Sequence, residues 1–329
     1  MDDTRELISA LKRAGLSDHA IRAAWPSWWD DDAAASKSGK AELRFALARK
    51  LGLSPKSLLG ERVEFVWKND ARFKNLAAVD ADELAALASF GVSVGRLLVR
   101  ATPPGQSIEG IPAEQLRAAI LRGRQVVDLL SLLTTCWGLG IPVIFLRVFP
   151  LNAKSMRAMV IGVEGRHAVL LGRESQYPAP LAFTLAHELG HAALGHAQGG
   201  NALVDVADPD FDGGDPEEEE ADRYGLELLT GSPKPAITTN TQSYGARSLA
   251  EAAILAGPSR GIEPGTLALC LGYIQKNWAA ANAALRHIYD EPRTIWNDIN
   301  RLASSQLQWD ELSDESSTFL KNVMFGVDA

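Results

Sequence analysis

The chain has 329 residues, 46% hydrophobic and 22% charged, with a net charge of −8, which leaves room for two or three domains and excludes a disordered or fibrous polymer. Cys136 and Cys270 lie far apart in apolar contexts, which argues against a disulfide framework or a cysteine zinc cluster and for two reduced, buried thiols. The opening Met1-Asp2-Asp3-Thr4-Arg5 lacks the basic start and apolar run of a signal peptide, and no uncharged apolar stretch reaches membrane-spanning length; a cytoplasmic protein with no membrane partner is expected.

Charge is uneven: residues 1–75 carry 14 Lys/Arg against 11 Asp/Glu, a balance of +3, and the remainder carries −11. Residues 1–62 have a helical pattern. Thr4 can cap a helix with Leu7, Ile8 and Leu11 inward, closed by Gly15. Ser17 or Asp18 starts a second with Ile21 and Trp25, and a third runs from about Lys40 to Gly52. The ending 47–60 resembles the last helices of phage-repressor-type helix-turn-helix domains. A recognition helix presents Arg, Lys, Asn or Gln to base edges. Here Trp25, Pro26, Trp28, Trp29 and Asp30-Asp31-Asp32 offer aromatics, a helix breaker and acids that repel phosphate. The region is read as a degenerate helix-turn-helix-like unit that binds protein in preference to DNA; DNA binding would show as a steep loss of affinity with salt. The tryptophans are either a docking surface or core packing.

Residues 63–111 form a connecting segment. Val63-Glu64-Phe65-Val66-Trp67 alternates as an edge strand does, and Thr102-Pro103-Pro104-Gly105 is a loop signal. The unit over 112–235 opens with a helix expected at 113–137 and a strand at 141–146. Residues 157–163 and 167–171 read as a hairpin turning through Glu164-Gly165-Arg166. Its strand over 159–163 is the candidate edge for holding an extended peptide by main-chain pairing.

His187-Glu188-Leu189-Gly190-His191 carries the chemistry. Histidines four apart share one face of a helix, where two neutral imidazoles can grip one Zn2+ at about 2.0–2.1 Å. Glu188 can then act as general base on the water at the metal's open position. Pro180 suits a helix start, residues 181–186 are apolar, and Gly199-Gly200 is the expected stop. A plain core helix would leave Glu188 unexplained among apolar neighbours.

A third ligand is expected from the helix that begins at Glu217-Glu218-Glu219-Glu220. Glu218 and Asp222, one turn apart, share a face; Glu218 is read as the ligand and Asp222 as the acceptor of a ligand histidine's remaining N–H. Glu219 and Glu220 stay open as alternatives, since four adjacent glutamates leave the register free to slip. Tyr224 and His196 are the candidates for stabilising an oxyanion, neither assigned. Asp208, Asp210, Asp212, Gly213 and Glu219 fit the calcium-loop spacing, but Asp215 and Pro216 stand where an EF-hand would have an apolar residue and a ligand; a solvated acidic loop is preferred over calcium.

In the last third, residues 236–329, Leu267, Leu271, Ile274, Trp278, Ala281, Leu285 and Ile288 step by four and three as one helical stripe. Glu291-Pro292 interrupts it, and Ile295, Ile299 and Leu302 start a new face.

The residues 183–192, Gly195-His196, and Glu218 to Asp222 with Leu228-Leu229 together resemble the ImmA/IrrE-like zinc metallopeptidases of bacteria and their mobile elements. The resemblance covers roughly 112–235; residues 228–233 depart from the family's Met-Pro ending. It implies a mostly helical α+β fold: a zincin-like peptidase core with a small mixed sheet beside the zinc helix, flanked by helical N- and C-terminal regions. It further implies Zn2+ as cofactor and a protein substrate, a transcriptional repressor or antitoxin cleaved in a stress response. The rival reading is a non-catalytic, zinc-containing binding protein that works through its two helical ends.

Overall fold

The computed structural model describes residues 2–60, 62–66, 72–74, 81–151, 156–197, 202–206, 215–238 and 244–327. The N-terminal segment folds as α1 (Asp2–Arg13), α2 (Asp18–Ala24), α3 (Asp31–Ala35), α4 (Lys37–Leu51) and α5 (Pro55–Leu59). Ser17, Asp30, Ser36 and Ser54 cap α2 to α5 in turn, each side-chain oxygen accepting the N–H three residues on. Thr4 lies inside α1 rather than at its cap. Asp30 caps α3, whose first turn holds Asp31 and Asp32, where the helix dipole favours acids; this segment serves local folding. Trp25, Trp28 and Trp29 meet edge to face at 6.0–6.3 Å and pack partly buried against the core.

The strand expected at 63–67 reduces to one bridge, Phe65 with Leu53, which straps the end of α4; Trp67 lies outside the described residues. After β1 (Arg72–Lys74) comes the 20-residue α6 (Ala81–Arg100). The single helix expected at 113–137 is two, α7 (Ala113–Leu121) and α8 (Leu129–Gly138). The break has a cause. Asp128 Oδ1 accepts from Ser131 N–H at 2.8 Å while Ser131 Oγ accepts from Asp128 N–H at 2.9 Å, a reciprocal cap that starts a new helix.

Next in the chain are β2 (Val143–Phe145), β3 (Met156–Val163), β4 (Arg166–Leu171), α9 (Pro178–Ala193), β5 (Ala202–Val206) and α10 (Pro216–Thr230). The strands form one mixed sheet in the order β1-β5-β3-β4-β2. β3 and β4 are the expected hairpin, closed by Glu164 and Gly165 at φ +50° and +77°. From Ala158 onward its residues alternate between two faces. Met159, Ile161, Ala168, Leu170 and Ile144 face a core shared with α1, α2, α4 and α6, whereas Ala158, Val160, Val169, Leu171 and Phe145 face the core under α9.

That order corrects the substrate-edge expectation. β3 is central, hydrogen-bonded to β5 on one side and β4 on the other, so its main chain cannot receive a peptide. Among the described residues the edges are β1 and β2, and a side chain occupies the β2 edge at Phe145. Asn300, fully buried on α14 (Ile295–Gln306), accepts from Phe145 N–H at 2.7 Å and donates to Phe145 C=O at 2.8 Å and Met324 C=O at 2.6 Å.

Before α14 come α11 (Ala246–Ala256), α12 (Pro264–Ile274) and α13 (Trp278–Ile288), a satellite cluster resting on Ala179 of α9. The continuous stripe expected here is broken at 275–277. Lys276 adopts φ +53° and Asn277 caps α13, so Ile274 and Trp278 sit at a bend, 46% and 48% exposed. The chain closes with α15 (Asp314–Phe325), whose Phe319, Leu320, Val323 and Met324 join the core of the N-terminal helices. Buried Lys50 ties the two ends, reaching Glu315 Oε1 at 2.9 Å and Ala24 C=O at 3.0 Å. Cys136 and Cys270 are free and buried, and burial pushes each thiol up to about 12. No described helix is long and apolar enough to cross a membrane.

Asn300→Ala strands the Phe145 and Met324 main-chain groups in the core. It is expected to cost about 2–4 kcal/mol, since each orphaned group costs about 1–3 kcal/mol. Urea unfolding of the variant measures this; an unchanged midpoint would show that the amide seals nothing.

Candidate metal centre

α9 forms because Pro178 and Pro180 open it and an alanine- and leucine-rich run follows. Leu181, Ala182, Leu185, Ala186 and Leu189 are buried in the core beneath the sheet. His187 and His191, one turn apart, point to α10 instead. The helix ends at Ala193, with Gly195 at φ +76°, ahead of the expected stop at 199–200, which lies outside the described residues.

α10 starts at an Asp215 cap followed by Pro216, with its glutamates in the first turns where the helix dipole favours them. Ala221, Tyr224, Gly225, Leu228 and Leu229 bury its inner face. Arg117 of α7 holds its far end, donating to Leu228 and Leu229 C=O at 3.1 and 2.8 Å. The two helices cross backbone to backbone. A Cβ on Gly190 would stand 2.9 Å from Ala221 O, and one on Gly225 3.1 Å from His187 N.

This crossing brings His187, His191 and Glu218 together, with one donor atom from each within 4.8 Å of the others. His187 Nε2 and His191 Nε2 are 3.0 Å apart, and each is 3.2 Å from one oxygen of Glu218. Three ligands at tetrahedral corners around an ion with bonds of about 2.0–2.1 Å lie about 3.3 Å apart, so the triangle fits. Two imidazoles and a carboxylate are a donor set suited to Zn2+, with the fourth corner left to water or substrate. Asp222 Oδ1 holds His187 Nδ1 at 2.9 Å, which turns Nε2 toward the triangle.

Glu188 is 1% exposed, and its charge acts on His187. Glu219 turns outward and pairs with Arg223, whereas Glu220 Oε2 lies 3.3 Å from His196 Nε2. Tyr224 donates its hydroxyl to Ile111 C=O at 3.0 Å, and His196 Nδ1 lies 2.9 Å from His191 Nδ1. Both oxyanion candidates are thus engaged elsewhere. The contacts of His196 and Glu220 escaped the sequence reading; a Gly-His pair right after a metal helix was the available signal. Of the calcium-loop positions 208–219, 208–214 lie outside the described residues; Asp215 caps α10 and Glu219 pairs with Arg223.

Burial disfavours a charged His187, but the carboxylates of Asp222 and Glu218 outweigh it and hold the imidazole well above its usual range. Burial opposes charge on Glu218 too, and the two histidines overcome it and hold the carboxyl below the usual range. The metal-free pocket therefore keeps a proton on His187 at neutral pH. A metal must displace that proton, so affinity falls as pH falls. Calorimetry at pH 7 in buffers of different ionisation enthalpy is expected to show about one proton released per ion bound; no release would contradict the raised His187. Gly190→Ala should force α9 and α10 apart, cost about 1–3 kcal/mol and lower metal affinity in a chelator competition; full affinity would show that the close crossing is not required.

Searches of curated proteins and of solved structures returned no match. A family model does match, over residues 136–252, a span that contains the three-donor group and all of its contacts on α9 and α10. The chain carries, in that span, an IrrE N-terminal-like domain of the Peptidase_M78 family.

Proposed function

We propose that the protein is a zinc-dependent metalloendopeptidase that cleaves a regulatory protein, a transcriptional repressor or an antitoxin, in a stress or mobile-element response. The family match itself suggests a metallopeptidase. The observation that carries the reading is the His187, His191 and Glu218 triangle with buried Glu188 beside it. A bound Zn2+ supplies Lewis acidity, lowering the pKa of a water toward 7 and polarising a peptide carbonyl.

The chain's own residues do the rest. His187 and His191 present their Nε2 lone pairs and Glu218 its carboxylate, while Asp222 keeps the His187 ring from turning. Glu188, one residue past the first ligand, takes a proton from water on its carboxylate and returns it to the leaving amide nitrogen. Its burial excludes bulk water, which would otherwise exchange that proton. A single regulator as substrate, in preference to bulk protein, follows from the resemblance of residues 183–222 to peptidases of that kind.

Glu188→Gln keeps size and hydrogen bonding but removes the base. It is expected to bind zinc as the parent does and to lose about a hundred- to ten-thousand-fold in cleavage rate. The assay incubates the chain with repressors or antitoxins encoded beside it and follows chelator-sensitive scission by mass spectrometry. Cleavage by the variant at the parental rate would remove Glu188 from the chemistry. No scission of any neighbouring regulator by zinc-loaded parent would favour the non-catalytic binding protein.

A further inference from the structure

The exit from α9 does more than end a helix. Gly195, at φ +76°, donates to Ala192 C=O at 3.4 Å, and His196 N–H donates to His191 C=O at 2.9 Å. These are the two reversed bonds of a Schellman turn, which brings the residue just beyond a helix back over its last turn. Such turns usually close an apolar contact. Here they close one imidazole on another: His196 Nδ1 lies 2.9 Å from His191 Nδ1. The other ring nitrogen, His196 Nε2, lies 3.3 Å from Glu220 Oε2 on α10, and the His196 side chain is only 8% exposed.

Neutral imidazole has one N–H and one lone pair, so two facing Nδ1 atoms must divide into donor and acceptor. His191 Nε2 belongs to the metal triangle and must offer a lone pair there. Its proton is therefore on Nδ1, and His196 Nδ1 accepts it. The proton of His196 is then on Nε2, facing the Glu220 carboxylate. One arrangement satisfies every atom. The reverse would put a proton on His191 Nε2 and close that corner to a metal.

We propose that His196, returned by the Gly195 turn and held by Glu220, is a positioning residue that locks His191 in its Nδ1–H form and aims Nε2 at the metal. This rests on reading His187, His191 and Glu218 as a metal centre. It makes the two ligand histidines unequal: an anionic carboxylate backs His187, and a neutral ring backs His191. Two carboxylates in direct contact would crowd negative charge around the pocket. The imidazole relays orientation and keeps Glu220 one ring further away.

The test compares the full-length parent with H196A, H196N and E220Q. Zinc affinity is read by competition with a chromophoric chelator, ligand geometry by the visible spectrum of the Co2+-loaded protein. The parent should take one ion per chain. H196A should bind about 10–100-fold more weakly, the usual cost of losing a ligand's supporting partner, with an altered Co2+ spectrum. H196N, whose side-chain oxygen replaces the lost acceptor, should recover most of the affinity, and E220Q should show a smaller loss. Should H196A fail to fold by circular dichroism, parental spectrum and near-parental affinity in H196N with reduced affinity in E220Q support the proposal; parental affinity in E220Q overturns it. A folded H196A with parental affinity and spectrum, or H196N no better than H196A, also overturns it and leaves the metal centre standing. A parent that takes up no metal removes the centre and this role together.

Discussion

Two glycines set the distance on which the site depends. Where α9 and α10 cross, Gly190 meets the Ala221 carbonyl and Gly225 meets the His187 amide, so a methyl group on Gly190 would clash and one on Gly225 would sit tightly. Helix axes usually stay 8–10 Å apart because side chains interdigitate between them. Removing Cβ at the crossing lets carboxylates one turn up α10 reach imidazoles on α9 directly. Glu218 spans both Nε2 atoms and Asp222 takes Nδ1 of His187. Burial opposes the charged forms of His187 and Glu218, and packing beneath them must hold the arrangement. Leu185, Ala186, Leu228 and Leu229, all fully buried, provide it.

The sheet serves as a partition. One face of β3 and β4 belongs to the core beneath the metal helix, and the other to a core built by the two ends of the chain. α15 packs with α2 and α4, and Lys50 binds Glu315 across the join. Burial lowers the Lys50 pKa, and the Glu315 carboxylate counters that. The N- and C-terminal helices are thus one packing unit that backs the sheet opposite the site.

Most local features were legible in the sequence, and nonlocal ones were not. The histidine pair, the carboxylates one turn apart, the hairpin and the Gly52 stop all follow from short-range periodicity and capping; the structure groups His187, His191 and Glu218, sets Asp222 against His187, and forms the hairpin and the stop. Two misreadings come from local caps and one from nonlocal strand pairing. Hydrophobic periodicity ran unbroken through 113–137 and 267–288, but Asp128 and Asn277 caps split both. Strand order depends on pairing between distant segments, so an apolar run such as 156–163 cannot announce whether it is central or at an edge. His196 stood in plain view, but its partner is decided by a turn geometry that residue type alone does not state.

The Asn300 amide also bears on how copies of this molecule treat each other. An open strand end-row invites the same strand of a neighbouring molecule to add on, and repeated addition leads to fibres. By giving Phe145 both of its main-chain partners from a side chain, α14 ends the ladder on that flank. Addition of a strand at Phe145 is thereby opposed at the cost of one buried polar residue, and growth of polymers from that flank is disfavoured.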